Sequence, residues 1–152
     1  MIKPIILFAA LSAFSIPLNA NAQVQRSYEY GPVTLVGYIH VNYGHFDEYM
    51  KWVTSTWLPT MEAEKKAGLI IGYKAVKSEP KSPDQPNFYL EITFKNMASY
   101  AGDIGDQVPQ DAFEAVTEKV ICSAECQNQA RVKRDEVRKF LGAEVTREII
   151  FK

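Results

Sequence analysis

The stretch VTLVGYIHVNYGHFDEYM, residues 33–50, carries the transition on which the fold turns. Its first nine residues, 33–41, are β-branched, aliphatic or aromatic, with no acidic residue and no lysine or arginine. That composition predicts a strand apolar on both sides. Alternation separates two faces. Val33, Leu35, Gly37, Ile39 and Val41 form a wholly apolar one. Thr34, Val36, Tyr38 and His40 form another with polar tips. Asn42-Tyr43-Gly44 is a turn signal, and a helix is expected from about Phe46. There Phe46, Met50, Val53, Trp57 and Met61 recur at spacings of four and three, with Asp47 and Glu48 in the first turn. Pro59 predicts a kink near Ser55–Leu58, and Gly68 after Lys65-Lys66 marks the end.

Outward from this unit, LIIGYKAVK (69–77) reads as a second strand, and SEPKSPDQPN (78–87), with three prolines, as a loop. NFYLEITFK (87–95) alternates, with Phe88, Leu90, Ile92 and Phe94 on one face and Tyr89, Glu91 and Thr93 on the other. Residues 97–110 read as an irregular or partly helical link that glycines 102 and 105 would allow to move as a lid. A helix is expected from Asp111 on a stripe of Phe113, Val116, Val120 and Ala124. The charged run RVKRDEVRKF (131–140) continues it as a solvated face, Gly142 stops it, and 143–152 closes the chain as a strand. The order is β-α-β-β-α-β, the split-βαβ pattern. It predicts an α+β, ferredoxin-like antiparallel sheet with both helices on one face.

The chain has 152 residues, enough for one domain. Its start, MIKPIILFAALSAFSIPLNANAQ, has Lys3, an apolar run from Ile5 to Ile16 and the small-x-small triplet Ala20-Asn21-Ala22. This is the pattern of a secretory signal peptide, with cleavage after Ala22; the run is short of the ~20 residues a membrane span needs. The division expected is a removed segment 1–22, a loose arm 23–32 and a single domain 33–152, in a periplasm or outside the cell. Lys3 is the only charge in the segment, so the net charge moves from −1 to about −2 on its loss. That balance does not suit nucleic-acid binding, which needs a basic face.

The two cysteines, Cys122 and Cys126, are four apart. Export permits a disulfide, but within an intact helix the two side chains point roughly parallel, so bonded and free states both stay open. Two thiolates without a nearby histidine do not complete a zinc shell, and no metal site is expected. There is no phosphate loop, nucleophile elbow or HExxH helix.

A first strand ending in His, a helix containing TSTWLP, the strand GLIIGYKAV, a Pro-rich loop and the strand FYLEITFKNMASY together resemble the dimeric α/β-barrel superfamily. Its members include antibiotic-biosynthesis-type monooxygenases, EthD-like and NIPSNAP-like proteins and haem-degrading enzymes. The resemblance spans roughly Val33–Tyr100. It implies a homodimer whose two sheets face each other, the open face of each lining a cavity. No position matches a specific catalytic motif, so no catalytic residue is carried over.

On that open face the expected site is His40 as acid or base, with Glu91 of the neighbouring strand orienting it. Tyr38, Tyr73 and Tyr89 would supply hydroxyls, with Thr93 beside them. Trp52, about 140° around the helix from Trp57, would face the cavity mouth or a partner subunit. The alternative is that these groups only fill an interface, with His40 buried and neutral. His45 reads as a turn or capping residue. Two functions follow: binding of a small organic molecule, with or without cofactor-poor turnover, or a non-catalytic module of the cell envelope with a filled barrel. No motif implies a cofactor; haem on His40 as axial ligand is a third reading.

Overall fold

A computed structural model describes residues 26–101 and 111–152. The segment 1–22, expected to be removed on export, and most of the link 97–110 lie outside these residues. The elements are β1 (Tyr28–Val41), α1 (Phe46–Trp52), a π-helical turn (Val53–Trp57), α2 (Leu58–Lys66), β2 (Gly72–Lys77), β3 (Phe88–Phe94), α3 (Met97–Tyr100), α4 (Asp111–Val120), α5 (Ala124–Val137) and β4 (Arg138–Phe151). The sheet runs β2-β3-β1-β4 with every neighbouring pair antiparallel. That order is the ferredoxin-like one, and the α+β class follows from it.

The parity of β1 and β3 holds. Val33, Ile39, Val41, Phe88 and Phe94 are buried, and Leu35, Leu90 and Ile92 pack against the same core. The helices supply Tyr49, Val53, Trp57 and Met61 from the first segment and Val137 from α5, with Phe113 and Val116 of α4 alongside. The centre of the first helical face is Tyr49, fully buried, rather than Phe46 and Met50, which are only partly covered. Gly68 ends α2 at φ 77°, a conformation that favours glycine.

Four boundaries differ from expectation. β1 starts at Tyr28, inside the expected arm, because Tyr28 and Tyr30 pair with Phe151 and Ile149 of β4. β2 starts at Gly72; Leu69 and Ile70 are buried in the connection before it. Around Pro59 the first helix adopts a π-helical turn at Val53–Trp57, with the proline just inside α2. Pro59 has no N–H to donate to the carbonyl four residues back, and i→i+5 bonding before it absorbs the mismatch. The last helix is two helices. It breaks at Ile121–Ser123, restarts on the Ser123 cap and yields to β4 already at Arg138. Gly142, expected as a helix stop, lies instead within β4 at φ 126°, beside a register shift opposite Tyr38/Ile39.

Candidate functional site: a helix-side cleft and the open sheet face

The π-helical turn decides which side chains meet. In a regular helix Trp52 and Trp57 diverge by about 140°. An i→i+5 turn between them brings residues five apart back to one side. Both tryptophans accordingly line one cleft, with Thr56 and Thr60 on the same wall. The opposite wall is Ile121, the cysteine pair, and Gln127, Ala130, Arg131 and Arg134 of α5. The cleft has a volume of about 430 Å³, the scale of a small-molecule site. On that first wall the Thr60 hydroxyl donates to the Thr56 carbonyl (2.8 Å).

Cys122 and Cys126 are disulfide-bonded across the start of α5, with Cα atoms 6.0 Å apart. Cys122 precedes the Ser123 cap, so the bridge joins a loop residue to a helical one, and the parallel-vector objection to an in-helix bond does not apply.

The charged run is not wholly solvated. The Arg134 guanidinium lies over the Trp52 ring at 4.1 Å, and Trp52 stacks on Tyr49 with ring centroids 5.5 Å apart. Arg138 approaches Tyr49 at 5.9 Å and Trp52 at 6.0 Å. Burial, then the charges of Arg138 and Arg131, push Arg134 below its ordinary range. Burial likewise pushes the Tyr49 phenol up, against the lowering effect of the two arginines. Among the described residues four buried polar atoms lack a hydrogen-bond partner: Tyr49 Oη, Trp52 Nε1, Arg134 Nε and Arg138 Nε. Each such group costs on the order of 1–3 kcal/mol. All four belong to this one aromatic–arginine stack behind the cleft wall.

The open sheet face brings together part of the expected site. Tyr38 and Tyr89 are cross-strand partners with rings 5.6 Å apart, edge to face. The Thr34 and Thr93 hydroxyls are hydrogen-bonded (3.2 Å). The Glu144 carboxylate of β4, on the same face, pushes the Tyr38 phenol up to about 12. Glu91 lies opposite Val36, four residues from His40 along β1. That is about 13 Å of strand, so the expected His40–Glu91 pair is not formed within the chain. His40 instead donates from Nδ1 to the Gln85 carbonyl (3.0 Å), tying down the Pro-rich loop, and sits opposite Lys139 of β4.

Tyr73 is on the other side of the sheet. It pairs with Ile92, packs edge-on against Trp57 at 5.5 Å and donates to the Glu62 carboxylate, which holds its phenol above the ordinary range. Trp52 also belongs to the helix side. His45 precedes α1 and donates to Glu48 (2.9 Å) at the surface. No group of three metal-ligating side chains occurs among the described residues, and none of their helices is long and apolar enough to cross a membrane.

Sequence reading missed the cleft because its arginine wall lies in a charged run. The signal available was the set Gln127, Ala130, Arg131 and Arg134, at i, i+3, i+4 and i+7 on one helical face.

No protein-family profile matches the chain, and no curated protein matches it. Solved structures do. The chain is similar to a dimeric ferredoxin-like protein from an uncultured marine organism, at 9% identity and TM-score 0.49, over 82% of this chain and 90% of that one. A second such protein from an uncultured marine organism aligns at 14% identity and TM-score 0.46, over 80% and 96%. HapK from Hahella chejuensis aligns at 10% identity and TM-score 0.47, over 76% and 91%. The fold assignment rests on the strand order and register described above.

Proposed function

We propose that this chain is an exported protein that binds a small organic molecule in the helix-side cleft, and that it does so as a homodimer of the α/β-barrel type joined through its open sheet surface. The observation that carries the reading is the π-helical turn that places Trp52 and Trp57 on one wall of a cleft of about 430 Å³. Such aromatic-walled concavities with a few polar groups are the usual form of a ligand site, and π-helical turns recur at functional sites.

The open face suits packing better than ligand capture. Its groups already meet one another, Thr34 with Thr93 and Tyr38 with Tyr89. The edge strand β4 exposes Val145, Ile149, Ile150 and Phe151, an apolar edge that invites pairing with a second copy. The leader-like start and the disulfide support export.

Native mass spectrometry of the protein purified from its own host is the test. A dimer carrying a reproducible small-molecule excess is expected. Ala130→Phe, which fills the cleft from α5, should remove the excess and keep the dimer. A clean dimer without excess mass overturns the ligand reading. A monomer overturns the assembly.

A further inference from the structure

The charge of the cleft narrows what it takes. Arg134 and Arg131 bring cations into a wall that is otherwise aromatic, aliphatic or neutral, and no carboxylate lines this cleft among the described residues. The ion pairs among the described residues are His45–Glu48, Lys77–Glu79, Arg138–Asp135 and Lys152–Glu29, none of them in the cleft. Arg134 is in none of them. Arg131 is less telling, because it also borders a second hollow of about 340 Å³ that Glu114 and Glu118 line.

A half-buried guanidinium held over an indole has its orientation set by the ring and its fork of N–H groups free to meet a planar acceptor. Trp52 Nε1 and Arg134 Nε are buried behind the wall and play no part in ligand contact. A cleft whose charged groups are guanidinium donors, with no carboxylate and with two tryptophans at its border, is complementary to an acceptor-only head on an aromatic body. Resting on the cleft-binding reading above, we infer that the ligand is an aromatic monoanion, a carboxylate or sulfonate. Arg134 takes the anionic head, and Trp57 and the edge of Trp52 border the ring system.

A pair of fluorescent probes separates this from the parent reading. N-phenyl-1-naphthylamine is neutral; 8-anilinonaphthalene-1-sulfonate adds a sulfonate to the same skeleton. Titrated into the purified, disulfide-intact protein, the sulfonate probe should bind at least 10-fold tighter. Arg134→Met should bring the two within about twofold by weakening only the anion, and Arg134→Lys should keep part of the preference. Ala130→Phe should abolish both signals. Equal binding of the two probes in the wild type, both lost in Ala130→Phe, overturns the anion inference and leaves the cleft reading standing. Binding of neither probe, or binding that survives Ala130→Phe, overturns both. Should Arg134→Met not fold, Arg134→Gln keeps polarity without charge. An unchanged sulfonate preference in that variant likewise overturns the inference.

Discussion

The two helical arms that wall the cleft bury opposite kinds of side chain. The first, from Phe46 to Lys66, turns Tyr49, Val53, Trp57 and Met61 inward. The second, α5, contributes one buried apolar residue, Val137, and otherwise lays Arg134 over the Trp52 ring. One arm is held by hydrophobic burial. The other is held by stacking, a cap and a covalent bridge. On the proposed function, the first arm supplies stability and the second recognition.

The sharpest way to break this comparison is Tyr49→Ala. Tyr49 is fully buried between Trp52 and Phe88, so its loss should cost about 3–5 kcal/mol in urea unfolding. Gln129→Ala on the exposed side of α5 should stay within about 0.5 kcal/mol. Comparable losses at the two positions would show that the arms share the load.

A second test uses the one charge the first arm buries. Glu64 is 6% exposed, and burial pushes its carboxyl from 4.5 up to about 7. The folded state therefore holds a proton that the unfolded state has released. The favourable contribution is complete below pH 4.5 and is lost as pH rises through about 7. The loss should be roughly 3 kcal/mol. Glu64→Gln should flatten stability across that window. An unchanged pH profile would place the titration elsewhere.

The smallest effect is expected at the bridge. Cys122 and Cys126 are separated by four positions, a short loop whose closure is worth about 2 kcal/mol. Replacing both by alanine should speed amide exchange in the first turn of α5 and leave the first arm protected. Loosening of both arms together would mean that they unfold as one unit.

Much of the first arm and the sheet was readable from local pattern. Alternation in 33–41 and 88–94 assigns the core face, and Gly68 ends its helix as expected. Of the expected site residues, Tyr38, Tyr89, Glu91 and Thr93 share the open face, whereas Tyr73 and Trp52 lie on the helix side. Tyr73 sits one residue out of phase with Lys74, which pairs with Glu91. A strand entered at Leu69 in the reading begins at Gly72, and parity alone does not choose its face. Trp52 was placed off the core stripe by α-helical geometry, which does not hold across a π-helical turn.

The amino-acid sequence by itself determined the element order, and with it the ferredoxin-like class, because alternation and helical spacing are local properties of the chain. Tertiary structure decided where α5 stops and what His40 does. Nothing in RVKRDEVRKF distinguishes helix from strand by pattern. The helix ends at Val137 because Asn42, far back in the chain, gives its side-chain amide to the Glu136 carbonyl (3.0 Å) and its N–H to that of Val137 (2.9 Å). Those carbonyls need partners from outside the helix. From the next residue, the edge of β1 supplies them. His40 likewise met the Gln85 carbonyl rather than Glu91, because strand register fixes distances that composition does not encode.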